Sequence, residues 1–139
     1  MSVLRIAVVD GQGGGVGKAL VEKLRQAFGA EAFIIGLGTN SSATSLMLKA
    51  GADAGATGEN AIAVNVGKAD IVMGALGIMS ADAMLGEISP RIACAIGQSD
   101  AYKILVPINR CNLTVAGVKN MQFGDYIAEA VAEARSARK

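Results

Sequence analysis

Short apolar runs alternate along this chain with stretches in which apolar residues recur every three or four positions. Val3–Val9 predicts a first, buried strand. Leu20, Leu24, Ala27 and Phe28 follow at helical spacing, and Gly29 ends that helix. Ala32–Leu37 predicts a second strand, followed by a helix through Leu46, Met47 and Ala50 that stops at Gly51. Ala52–Ala56 is a glycine-interrupted third strand, Ile62, Val66 and Ala69 mark a short helix, and Asp70–Ala75 predicts a fourth strand. Ala83–Ile96 has a helical pattern that Pro90 is expected to kink or break. Tyr102–Ile108 predicts a fifth strand, Leu113–Val118 a sixth at a sheet edge, and Asp125–Arg138 a closing helix with Ile127, Ala130, Val131 and Ala134 on one face. Residues 135–139 are expected to fray.

Strands that alternate with helices imply parallel pairing, with helices on both faces of the sheet. The expected class is α/β: a Rossmann-like three-layer sandwich with a mostly parallel sheet of five to six strands. No repeat, linker or low-complexity stretch divides the chain, so residues 1–139 read as a single Rossmann-like domain, which the glycine loop after the first strand makes a nucleotide-binding one by expectation.

Between the first strand and the first helix lie five glycines in seven positions, Gly11–Gly17. Glycine lets a backbone turn sharply and approach a ligand closely, and a helix start offers unpaired N–H groups and the positive end of its dipole. That order points to a phosphorylated or nucleotide-like ligand, though glycines also serve close helix–strand packing. The dinucleotide fingerprint with glycines at relative positions one, three and six fails, because Gln12 stands at the first place counted back from Gly17. The phosphate-binding loop of nucleotide triphosphatases fails too: Lys18 is followed by Ala19, which has no hydroxyl for magnesium.

The spacing Gly11-x-x-x-Gly15-x-Gly17 resembles the glycine loop of short-chain dehydrogenases/reductases, and Ala69–Ile78 is similar to their fourth strand and following turn. The resemblance covers about the first 80 residues and implies a Rossmann fold. Their catalytic Tyr and Lys, four residues apart, are missing: Tyr102 is followed at that spacing by Val106, and Tyr126 by Ala130. The second strand ends Gly38-Thr39-Asn40, without a carboxylate for an adenosine ribose. An NADP-like or simpler nucleotide therefore fits more easily than NAD. The whole chain resembles a family of short bacterial Rossmann-like proteins of unassigned function. The residues that carry this are Val9–Lys18, Gly38–Ser41, Ala56–Ala61 and Asn109–Asn112.

In an open parallel sheet a ligand sits beyond the carboxyl ends of the strands. The segments expected there gather Asp10, Gln12, Thr39, Asn40, Ser41, Ser42, Thr57, Glu59, Asn60, Asn109, Arg110 and Cys111. The expected ligand-binding set is Asp10, Gly11, Gln12, Gly13, Gly14, Gly15, Gly17, Thr39, Asn40, Ser41, Asn109 and Arg110. Capping is the ordinary use of Asn40, Ser41 or Ser42 on the second helix and of Thr57 on the third. Arg110 suits a two-pronged grip on phosphate or carboxylate. Cys111 beside it is the one candidate nucleophile, Asp10 and Glu59 a candidate acid–base pair, and Cys94 reads as core or interface packing.

Composition narrows the field. The chain of 139 residues has a net charge of +1 with scattered basic residues, so a nucleic-acid surface has little support. It has no His, which removes Ser-His-Asp and Cys-His triads, and two Cys alone build no four-ligand zinc site. The longest nearly apolar stretch, Ile71–Met79, is far short of a membrane span, and the N-terminus lacks signal-peptide features. A cytoplasmic location with reduced thiols is expected. The expected role is a sensor or binding subunit for a nucleotide, dinucleotide or phosphorylated metabolite. Two alternatives stand beside it: a small enzyme on such a ligand, and a structural oligomer without one. A homo-oligomer is expected because Met84, Leu85, Ile88 and Ile92–Ile96 nearly encircle the helix read over Ala83–Ile96.

Overall fold

The computed structural model describes residues 3–108 and 112–137. Apolar, β-branched β1 (Leu4–Asp10) is buried from Ile6 onward and forms the middle of a five-stranded, wholly parallel sheet. Its partners are β2 (Ala32–Gly38) on one side and β4 (Ile71–Ala75) on the other. The edges are β3 (Ala54–Thr57) beside β2 and β5 (Tyr102–Val106) beside β4, giving the order β3-β2-β1-β4-β5. Each strand feeds a helix: α1 (Gly15–Phe28), α2 (Ser41–Ala50), α3 (Glu59–Val66), α4 (Pro90–Gln98) and α5 (Phe123–Ala137). α1 packs between α2 and α5 on one face, and α3 packs against α4 on the other. The expected three-layer α/β sandwich is thus present, with five strands among the described residues.

Helix α1 shows how pattern becomes packing. Val16, Leu20, Val21, Leu24 and Phe28 recur at three- and four-residue spacing and are all buried against the sheet. The far end is pinned by Arg25, whose Nε and Nη2 both donate to Gly51 O (3.0 and 2.9 Å). The same guanidinium pairs with Asp53 (2.6 Å), so it ties α1 to the turn that enters β3.

Three expectations need correction. The helix read over Ala83–Ile96 starts only at Pro90; Ser89 caps it by accepting from Ile92 N–H (3.2 Å), and Pro90 opens its first turn. Proline at a helix start costs no hydrogen bond, so it begins this helix where the sequence reading had it interrupting one. Residues 81–87 form turns in which Asp82, Met84 and Leu85 all take positive φ. The apolar circle that motivated an oligomer is therefore split between a loop and a short helix. Within α4 only Ile92 and Ile96 are buried, and Cys94 is exposed, not a core residue. Finally, Leu113–Val118 is no strand: a turn at Ala116–Gly117, with Gly117 at φ 86°, leaves too short a run to pair with β5. The backbone that follows is fastened by Tyr126, whose hydroxyl donates to Lys119 O (2.7 Å) and accepts from Met121 N–H (3.1 Å).

Candidate functional site

The strand registers bring the carboxyl ends level, Asp10 beside Gly38 and Gly38 beside Thr57. Connections leave β1 toward β2 and leave β4 toward β5, so the sheet reverses its winding between β1 and β4. Such a switch point leaves a crevice at the carboxyl edge. The glycine loop lies there.

Asp10, buried at the end of β1, organises the loop. Its Oδ1 accepts from Gly11 N–H (2.8 Å) and its Oδ2 from Gly17 N–H (2.5 Å). Burial pushes its carboxyl above the ordinary 3.8, the two N–H bonds pull it back, and nearby Glu87 adds to the rise. A side chain at position 17 would collide with this arrangement: a Cβ there would lie 2.8 Å from Met47 Sδ and 2.9 Å from Asp10 Cβ. Gly14 takes φ 76° and donates to Gly11 O (3.0 Å), which closes the turn.

Three further residues of the loop and first turn, Gly13, Gly15 and Val16, have N–H groups that no hydrogen bond uses among the described residues. Gly13 and Gly15 are exposed, and a Cβ on either would meet nothing within 4 Å. Above them opens a cavity of about 410 Å³ lined by Asp10–Val16, Met84 and Phe123.

Glu87, from the turns after β4, braces the loop. Its Oε1 accepts from Gln12 N–H (2.8 Å), Thr39 Oγ1 (2.6 Å) and Asn40 Nδ2 (3.0 Å). The Thr39 hydroxyl and the Gln12 N–H hold its carboxyl below the ordinary 4.5. Sequence reasoning missed this residue because it lay inside a stretch read as helix. The local signals for a loop were Gly86 and the Ser89-Pro90 cap, four residues from Gly86 to Pro90.

The other rim residues divide. Asn40 is both cap and clamp: its Oδ1 accepts from Ala43 N–H (2.9 Å) while Nδ2 also donates to Gln12 O (3.0 Å). Ser41 is exposed at the first residue of α2. Thr57 does not cap α3, whose N-cap is Gly58; its hydroxyl pairs with Thr44 Oγ1 (2.7 Å). Glu59 accepts from Ser89 Oγ (2.5 Å) and pairs with Arg91 (3.5 Å), while the carboxylate whose charge acts on Asp10 is Glu87. Asn109, Arg110 and Cys111 lie outside the described residues. No cluster of metal-ligating side chains occurs among the described residues, and no helix there is long and apolar enough to cross a membrane.

A parallel five-stranded α/β sandwich with a glycine loop at its switch point defines a Rossmann-like protein by fold. Within that class the chain belongs to the family described as a domain of unknown function (DUF3842), whose model matches residues 5–139. No curated protein matches the chain.

Proposed function

We propose that the protein binds a nucleotide or other phosphate-bearing metabolite over Gly11–Gly17, as a sensor or binding subunit. The observation that carries this is that Gly13, Gly15 and Val16, whose N–H groups take no hydrogen bond among the described residues, line one cavity over the start of α1. Unpaired N–H groups at a helix start attract an anion by direct donation and through the dipole. Asp10 does not compete for them, since its oxygens are engaged by Gly11 and Gly17. Met84 and Phe123 offer apolar walls for a base or another flat group.

Binding without chemistry is preferred over an enzyme on the residues present. The chain has no His, the Tyr126 hydroxyl is engaged by Lys119 and Met121 backbone, and the residue four positions after Tyr126 is Ala130, not Lys. The competing reading is a ligand-free clasp, favoured by the way Asp10 and Glu87 already engage three N–H groups of the loop. Self-association belongs to the same proposal, through apolar side chains left exposed such as Leu85. A monomer mass by light scattering removes that part.

The test is thermal stabilisation by ADP. Wild-type protein is expected to gain stability with ADP, and Gly15→Val to lose that gain while keeping its own fold, since a side chain there meets only open space. Equal stabilisation of both proteins overturns the placement, and no stabilisation of the wild type by ADP, NAD or NADP favours the clasp.

A further inference from the structure

The second strand ends without an acidic residue, yet the structure brings one to the same place from another element. Thr39 N–H donates to Asp10 O (3.0 Å), so the starts of the two loops after β1 and β2 run side by side. Glu87 lies across both, held by Gln12 on one and by Thr39 and Asn40 on the other. All three donors converge on Oε1, and among the described residues Oε2 takes no hydrogen bond. Nothing separates the acid from the glycine loop: a Cβ on Gly11 would stand 3.0 Å from Glu87 Oε1 and 2.5 Å from Thr39 Oγ1.

We infer that Glu87 receives the ribose hydroxyls of the bound nucleotide through Oε2, making the site selective for a free 2′-hydroxyl against a 2′-phosphate. This rests on the nucleotide reading above and names the ligand class within it. A phosphate on the N–H groups of Gly13–Val16 leaves the attached ribose to extend over the neighbouring strand end, where an acceptor must meet its hydroxyls. An ionised carboxylate is the strongest acceptor a protein offers, and one oxygen already held by three donors leaves the other oriented and unused. The same negative charge repels a 2′-phosphate. On this inference the ligand carries a free 2′-hydroxyl, whereas the missing acid at the end of β2 taken alone points to an NADP-like one.

Glu87→Gln separates this role from loop fastening. Its carbonyl oxygen still serves Gln12, Thr39 and Asn40, while an NH₂ replaces the oxygen that would accept from ribose. Calorimetric titration of wild-type protein should show ADP binding about tenfold more tightly than 2′-deoxy-ADP, and NAD about tenfold more tightly than NADP. In Glu87→Gln both ratios should fall to about twofold or less, through loss of the charged acceptor. Thr39→Val, which removes one of the three donors but keeps the carboxylate, should retain a preference for ADP over 2′-deoxy-ADP of more than about twofold. Nucleotide binding with ratios unmoved by Glu87→Gln, or wild-type preference for NADP, overturns the assignment of Glu87 alone. Failure of all four nucleotides to bind the wild type overturns the nucleotide reading and this inference with it.

Discussion

Gly17→Ala probes the packing on which the loop depends. The new methyl would sit 2.8 Å from Met47 Sδ and 2.9 Å from both Asp10 Cβ and Asp10 Oδ2. Met47 is fully buried, and Asp10 is pinned by its bonds to Gly11 and Gly17, so neither yields freely. Overpacking of this kind costs about 1–3 kcal/mol. Displacing Asp10 also weakens a charge-assisted bond worth about 1.5–3 kcal/mol. Alanine's better helix propensity returns about 1 kcal/mol. A net loss of roughly 2 kcal/mol follows from these opposing effects. Gly15→Ala is the control, because its methyl meets nothing within 4 Å; its stability should match wild type or exceed it by up to about 1 kcal/mol. Urea denaturation of the three proteins measures both. Wild-type stability in Gly17→Ala, or an equal loss in Gly15→Ala, would refute the close packing of Asp10 under the first turn of α1.

Arg25→Ala should lose about 2 kcal/mol in the same assay, because Gly51 O and Asp53 lose a shared, half-buried donor. Arg25→Lys should recover little of it, since a single ammonium cannot reproduce the paired Nε and Nη2 contacts. Glu87, held below its ordinary 4.5, contributes stability that is present above that value and lost as pH falls through its lowered one. Wild-type stability relative to Glu87→Gln should therefore shrink on acidification below 4.5, and a constant difference would count against the Glu87 contacts. Asp10 runs the other way: its raised value gives stability that is present below 3.8 and lost as pH rises through it. Stability relative to Asp10→Asn should fall over that range, and a rise would contradict the burial of this carboxyl.

The fold was legible wherever burial is set by local pattern. The apolar runs of β1, β2 and β4 and the periodic face of α1 lie where alternation and helical spacing put them. The glycine loop was legible for a similar reason, since few other sequences can turn from strand to helix so tightly. Glu87 was not, because its role depends on positive-φ turns at Asp82, Met84 and Leu85 that L-residues rarely adopt, and Gly86 and Ser89-Pro90 signal a break there without showing where it leads. The same apolar residues, Met84, Leu85 and Ile88, satisfy a helical period by accident of spacing. The structure buries Met84 and Ile88 and leaves Leu85 96% exposed at the loop tip. Leu113–Val118 failed as a strand for a tertiary reason too: Tyr126 of α5 claims the backbone that follows it.

Amide resonances followed by NMR during an ADP titration test the central claim most directly, because each N–H of the loop reports on its own. Binding over the glycine loop predicts that Gly13, Gly15 and Val16 shift first and furthest, with Gly11 and Gly17, already bonded to Asp10, moving less. Unchanged loop amides, or shifts confined to the cavity of about 380 Å³ between β5 and α5, would contradict it.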